Sequence, residues 1–552
     1  MSAVAIRSVG FSKAAQPFAA YAEAAQAFNK GDDAGSIIRF AQLYEAEDPW
    51  VRETATYMLA RGLLRLAGEG AVDEYGSVRP ADKKLADRFD RAERAMRLYL
   101  RRYPEGRYAT SMRGLFRRLY WLKGDQAALA AEYRALFALR DPAKRGLSDV
   151  ELAEEIDNKL LGRYPFTLKP ADVNDPVLLA VLDLGNMRTP GYAESDPVGA
   201  PRASAIDRAE IEAQRPLFAD EPALFDFLLA SYAFHIDRRP AEVLTLIPDA
   251  ARQERFSYLE FSRQMLRGRA LDATKDPNAR AFWRDMVSGA KQPYQQEALQ
   301  IAIAMSAERR GDVPSLFAAD SPVRDPFVRK MILAYVAGPD LLRRQASNSR
   351  LPFEEREFAL FTLLYKDLAQ ARHQAFLSDV RLITPDMGRG DKVDFSELER
   401  DSLRTRLPAL EAFRKPYGLF ACPPLPETVR KLATSPRFAA GQLCVAEFMR
   451  VHSLFDFLLD TPMPKDELGA GPSQFPGAPY SRLEVYKAVI ANPAATANDK
   501  AYALHRAVIC YDNGSNDCGG VEVGPSQRAA WFRRLKRDYP ATRWAKMAHT
   551  YW

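Results

Sequence analysis

Cysteine and histidine are scarce in this chain, at four and five among 552 residues. So few cysteines exclude a cysteine-stapled miniprotein. No run of 18 apolar residues occurs, so the sequence offers no transmembrane helix. Glycine (30) and proline (37) stay near ordinary usage, which excludes a collagen-like chain. The hydrophobic share of 47% is too high for a wholly disordered one. Familiar chemical motifs are missing too: no Walker A loop, no Gly-x-Gly-x-x-Gly fingerprint, no His-Glu-x-x-His helix and no nucleophile elbow. A zinc finger, a GXXG loop and paired aromatic RNP motifs are likewise absent. Neither a cofactor nor nucleic acid is therefore expected.

Net charge is small, 78 − 72 = +6, but unevenly spread. Residues 81–134 hold 14 basic and 7 acidic side chains, and residues 527–552 hold 7 and 1. Such stretches coat solvent-facing helix sides, or meet anionic lipid, cell-wall polymer or an acidic protein. The opening residues 1–28 are Ala-rich but interrupted by Arg7, Gly10, Lys13, Gln16 and Glu23. They lack a clear hydrophobic core followed by a cleavage site.

The cysteines are Cys422, Cys444, Cys510 and Cys518, and three complete pairings are open to them. Cys510 and Cys518 flank Tyr-Asp-Asn-Gly-Ser-Asn-Asp, a turn-rich segment that can bring two sulfurs together. Closing that loop stabilises by roughly 2–3 kcal/mol on the chain-entropy model. A Pro-rich turn, Pro423-Pro424-Leu425-Pro426, lies between the other two. Buried thiols are the alternative, and the spacings do not match a zinc knuckle. Disulfides favour an oxidising, extracytoplasmic compartment.

The N-terminal third reads as consecutive helices. Residues 15–29 and 34–45 are one-sided and separated by the turn Gly31-Asp32-Asp33. Asp48-Pro49 opens another helix, with Val51, Ala55, Met58, Leu59, Leu63 and Leu66 on one stripe. Residues 81–102 form a long amphipathic helix that stops at Tyr103-Pro104. A further helix runs to the turn Gly124-Asp125, and a short one to Leu139. Each helix can bury only one stripe, so stacked hairpins are needed to complete a core. Residues 97–112, RLYLRRYPEGRYATSM, are echoed near the end by residues 533–548, RRLKRDYPATRWAKMA. Strand signals are weak throughout. The pattern predicts an all-α superhelical solenoid of stacked antiparallel helix pairs. Its expected parts are an N-terminal lobe 1–165, an irregular connection 166–205, a middle lobe 206–400 and a C-terminal lobe 401–552. Residues 383–400 read as a charged loop and 462–480 as a Pro/Gly-rich loop.

On these residues the chain resembles bacterial tetratricopeptide-like helical-repeat proteins, especially cell-envelope members such as the BamD-like outer-membrane assembly lipoproteins. The likeness rests on Gly31-Asp32, Tyr103-Pro104, Tyr108-Ala109, Gly124-Asp125, Tyr539-Pro540 and Trp544-Ala545. It covers 17–66, 81–139 and 527–552. The chain departs from it by having no evident lipid-attachment cysteine at its start and a large irregular middle. The resemblance implies a superhelical, partner-binding scaffold.

Few side chains suggest chemistry. His452, Asp456 and Asp460 are four apart, so on a helix they share one side and could bind a divalent ion. Aspartates equally line a solvated face. His235 reads as a core-edge histidine, and His373, His505 and His549 form no local ligand pattern. Glu355/Glu357 and Asp391/Asp394 are carboxylate pairs without a visible cleft. At the C-terminus, Trp531, Trp544 and Trp552 with Arg528, Arg533 and Arg534 suit either an interaction surface or a cap on the last repeat. The expected role is a non-catalytic adaptor for peptide or protein partners in the periplasm or another extracytoplasmic space. An enzyme that holds cell-wall glycan or another polymer is the alternative.

Overall fold

The computed structural model describes residues 15–74, 78–79, 82–139, 145–161, 173, 175–188, 206–385, 387, 392–394, 406–408, 410–418, 420–452, 454, 459, 463–475, 477–512, 514 and 516–551. They form an all-α fold in which consecutive helices pack on one another, with one small strand ladder. The chain divides into two compact units, Met1–Pro248 and Asp249–Trp552. That division falls inside the stretch 206–400 expected as one lobe.

The first unit contains α1 (Gln16–Asn29), α2 (Asp33–Gln42), α3 (Pro49–Gly68), α4 (Lys83–Arg102), α5 (Ala109–Lys123), α6 (Gln126–Ala138), α7 (Asp149–Ile156), α8 (Pro176–Arg188), α9 (Arg208–Ala213), α10 (Pro222–His235) and α11 (Pro240–Leu246). Aspartates start several of them. Asp48 Oδ1 accepts from Val51 N at 2.9 Å, and Asp125 Oδ1 from Ala128 N at 3.0 Å. Each helix from α1 to α6 packs on the next. Helix α8 lies inside the stretch 166–205 expected to be irregular, and it packs against α10.

The Tyr-Pro turns have a definite job. Tyr103 caps the C-terminus of α4 with φ −134°, and Tyr539 caps its helix with φ −133°. Around the first turn, the Tyr99 hydroxyl donates to Glu53 Oε1 at 3.0 Å and accepts from Tyr108 N at 3.0 Å. Tyr108 stacks on Tyr57 with ring centroids 4.4 Å apart. Three helices are thereby locked by one aromatic cluster, an arrangement worth ~0.5–1.5 kcal/mol per ring pair beyond area burial. A Cβ at Gly106 would stand 2.6 Å from Glu53 Oε1, so only glycine lets the turn approach α3 this closely.

The second unit contains α12 (Tyr258–Ala273), α13 (Ala279–Met286), α14 (Pro293–Arg309), α15 (Pro326–Tyr335), α16 (Pro339–Ser347), α17 (Phe353–Ala369), α18 (His373–Asp379), α19 (Leu425–Thr434), α20 (Ala439–Val451), α21 (Arg482–Ala491), α22 (Ala497–Ile509), α23 (Pro525–Asp538) and α24 (Arg543–Met547). Helix α17 differs from the rest. From Glu357 to Leu368 every side chain is buried, so it has no solvent face. It packs against α15, α16, α18 and the strand β1 (Lys392–Asp394). β1 pairs antiparallel with β2 (Arg406–Pro408), Val393 opposite Leu407. This ladder occupies part of the expected charged loop 383–400; at three residues per strand it is too short to show alternation.

Candidate functional site

The Pro/Gly-rich segment 463–480 lies as a strap over the helices of its own unit. Glu308, near the end of α14, is buried, and its carboxylate accepts Gly469 N at 3.0 Å and Gly471 N at 2.8 Å. Burial pushes the Glu308 carboxyl up, and the two backbone donors offset part of that rise. Gly469 sits at φ +90°, and a Cβ at Gly471 would stand 2.7 Å from Glu308 Cβ, so glycine is needed at both. Further along, Gln474 N donates to Val336 O at 2.8 Å, just after α15. Gln370 Nε2, at the end of α17, donates to Ala478 O at 2.6 Å.

One aromatic anchors this backbone. Phe475 is 5% exposed and joins the core around α17. Lys366 Nζ is 5.7 Å and the Arg372 guanidinium 4.9 Å from its ring centroid. Lys366 itself is held by Ala334 O at 2.5 Å. The helices therefore hold an irregular segment by main-chain hydrogen bonds at three points and by one aromatic pocket with cationic walls.

A carboxyl pair lies under the anchor. Asp367 is fully buried, and Asp379 is 2% exposed. Arg343 grips Asp379 through Nε at 2.7 Å and Nη2 at 2.8 Å. Burial raises Asp367 well above the usual carboxyl range; the charge of Asp379 and a hydrogen bond to it add to the effect. Arg372 Nε stands 3.4 Å from Asp367 Oδ1 and opposes that rise.

Two disulfides lock the far end of the unit. Cys422–Cys444 ties the loop before α19 to α20, and Cys510–Cys518 closes the loop after α22. Their Cα atoms are 5.5 and 5.4 Å apart. Beside them the fully buried Glu447 accepts Arg450 Nε at 2.9 Å and Nη2 at 2.7 Å, and also the Tyr502 hydroxyl. This joins α20 to α22.

The remaining sequence candidates take different places. His452 ends α20, its ring 4.6 Å from Phe448, and burial lowers its pKa. Asp456 and Asp460 lie outside the described residues, as does Trp552. Among the described residues no group of three His, Cys, Asp or Glu side chains is placed to hold a metal ion. Trp544 is 1% exposed, donates Nε1 to Asn498 Oδ1 at 3.0 Å and packs 4.5 Å from Tyr502. Trp531 is also buried in that cluster. These two indoles are buried in the packing of the last helices, while Met547 and Tyr551 nearby are exposed. Arg528 covers the Tyr511 ring at 4.5 Å, Arg534 Nε is 3.6 Å from Asp538 Oδ2, and Arg533 is exposed. Glu355 is taken by Arg329 at 2.6 Å, whereas Glu357 is buried and pushed up to about 7 by desolvation and then by Glu354. Asp391 is outside the described residues. His235 is half-buried, edge-on to Phe234. His505 is buried and pushed down to about 4 by desolvation, then by Arg506. Among the described residues no helix is long and apolar enough to cross a membrane.

Sequence reasoning missed Glu308, Lys366, Gln370, Arg372 and Phe475. The one available signal was Phe475 itself, a lone large aromatic among Pro, Gly, Ser and Gln. No family model, no curated protein and no solved structure matches the chain.

Proposed function

We propose that this chain is a non-catalytic scaffold of the tetratricopeptide-like kind, binding peptide or protein partners in the bacterial cell envelope. The observation that carries the reading is the strap. The helices of the second unit already hold a stretch of irregular, turn-rich chain, their own strap, by main-chain hydrogen bonds and a buried Phe475. A helix array that recognises backbone in this way suits peptide partners. The paired cysteines favour an oxidising compartment and so the extracytoplasmic side. No comparable observation favours a polymer-cleaving enzyme. Such an enzyme needs two carboxyls facing an open cleft, and the pair Asp367 and Asp379 is buried.

The test is cross-linking in cells of the native protein, followed by affinity capture and mass spectrometry of envelope and soluble fractions. Reproducible enrichment of defined envelope proteins is the expected result. Turnover of an envelope polymer by the purified protein, abolished by substituting one carboxylate cluster, would overturn the scaffold reading.

A further inference from the structure

Helices α4, α5 and α6 of the first unit line an open groove of about 430 Å³, bordered by Arg97, Leu100, Arg101, Arg113, Phe116 and Glu132. That size lies within the roughly 300–1,000 Å³ of ordinary ligand pockets. The groove sits in the most basic stretch of the chain, residues 81–134. Arg101 is exposed and has no hydrogen bond or ion pair to a described residue. Arg113 is also exposed, tethered by Nη2 to Pro104 O at 2.8 Å and 3.9 Å from the exposed Glu105. Arg97 is held by Glu93 at 2.8 Å and lies 5.4 Å from the Phe116 centroid, so its position is preset. Phe116 and Leu100 provide an apolar patch between these cations. Glu132 is half-buried and makes no hydrogen bond to a described residue. Its carboxylate is open to accept a donor from a ligand in the groove.

We infer that this groove binds an extended acidic peptide from a partner. Its carboxylates pair with Arg97, Arg101 and Arg113, an apolar side chain meets Phe116 and Leu100, and a main-chain N–H reaches Glu132. The inference rests on the scaffold reading and locates one partner surface within it. Guanidinium forks match carboxylates and phosphates alike in pairs of parallel hydrogen bonds, and two further arguments favour a peptide. A flat lipid surface does not follow a groove. Phosphodiesters carry few donors for Glu132, whereas every non-proline residue of a peptide brings one. The chain's own strap shows the same device, since Glu308 accepts two backbone N–H groups. The cleft around Arg280, Arg284 and Arg310 in the second unit differs. All three of its cations lie beside a carboxylate, Asp312 at 2.9 Å, Asp320 at 2.6 Å and Asp272 at 3.6 Å, whereas Arg101 of the first groove has none among the described residues.

The test uses the full chain and a fluorescein-labelled peptide of four Glu-Leu-Asp repeats. Fluorescence anisotropy is read beside three controls: the same peptide with Gln and Asn replacing its acids, phosphatidylglycerol vesicles, and oligothymidylate. The acidic peptide is expected to bind, with affinity falling as salt rises. Arg101→Glu with Arg113→Glu should weaken it by about tenfold or more, and Arg101→Glu alone by less. Unchanged circular dichroism would confirm folding. Glu132→Gln and Glu132→Ala both remove the charge, but only Ala removes the acceptor. Peptide binding should therefore be about fivefold weaker in Ala than in Gln, with no such difference for oligothymidylate. Absence of peptide binding, insensitivity to charge reversal, or equal binding of the amide peptide, the vesicles or the oligonucleotide overturns the proposal. Repeating the in-cell capture with the Arg101/Arg113 variant separates the two readings. If all partners are still captured, the scaffold reading stands and this groove is not their site.

Discussion

Replacing Phe475 with alanine should release the strap while leaving the helices folded. The ring is 5% exposed, so its removal costs about 3–5 kcal/mol as transfer plus cavity. Loss of the Lys366 and Arg372 contacts adds about 0.5–1 kcal/mol each. What remains is the buried Leu468, with Met463 and Tyr480 packed beside it, and a short list of hydrogen bonds. The two to Glu308 contribute ~1.5–3 kcal/mol each and the neutral ones to Val336 and Ala478 ~0.5–1.5 kcal/mol each. Against them stands ~1–2 kcal/mol of backbone entropy for every ordered residue. With so few bonds along residues 463–480, the balance without the ring favours release. Hydrogen exchange read by mass spectrometry is the assay, focused on the amides of Gly469, Gly471 and Gln474. In the parent they are protected; in Phe475→Ala they should exchange at near-random rates. Far-UV circular dichroism should be unchanged and the melting midpoint lower, because α17 loses part of its cover. Phe475→Leu should fall between the two. Retained protection with an unchanged midpoint in Phe475→Ala would refute the anchor role.

Other expectations follow from named contacts. Asp367 holds its proton in the folded chain at pH values where the unfolded chain releases it, its folded pKa lying above the ordinary 3.8. That contribution is complete below about pH 4 and is lost as pH rises through the folded value. Asp367→Asn has no proton to lose, so melting midpoints between about pH 5 and about pH 9 should flatten relative to the parent; parallel profiles would contradict the raised Asp367 carboxyl. For the disulfides, removing Cys422–Cys444 (separation 22) should cost more than removing Cys510–Cys518 (separation 8). The loop-entropy difference is on the order of 1 kcal/mol, readable in urea melts of the paired Cys→Ser variants, and the opposite order would count against that account. Gly106→Ala forces a Cβ to 2.6 Å from both Glu53 Oε1 and Tyr103 Cβ. It should cost ~1–3 kcal/mol, whereas Gly524→Ala, which meets nothing within 4 Å, should change little; equal melts for both would discount the close approach.

Where the chain spells out local rules, reading it by eye worked. Asp48-Pro49, Gly124-Asp125 and Tyr103-Pro104 fall at helix ends as their chemistry requires. The turn residues between Cys510 and Cys518 bring those sulfurs together. Features that depend on distant partners stayed hidden. Glu308 sits in Glu-Arg-Arg, which reads as a solvated face, and only a segment more than 150 residues later turns it into a buried acceptor. Helix α17 opens with Phe-Glu-Glu-Arg, which is surface-like and stays partly exposed, yet from Glu357 to Leu368 it is enclosed by elements distant in sequence, charged Lys366 and Asp367 included. Asp367 and Asp379 are twelve residues apart, on two helices, and no periodicity predicts that the charge of one acts on the other in a buried site. Helix α8 was masked by the Asp-Pro and Gly-Tyr turns on either side of it.

The strap also sets the order of events during synthesis. Helix pairs such as α16 and α17 are close in sequence and form quickly after leaving the ribosome. Glu308 must wait for Gly471, 163 residues downstream, before its carboxylate is satisfied. Until then part of the apolar surface of α17 faces water, and the nascent chain passes through a sticky, half-covered state. Docking of the strap is therefore a late folding step of the second unit, and a chain truncated before residue 463 leaves that surface bare.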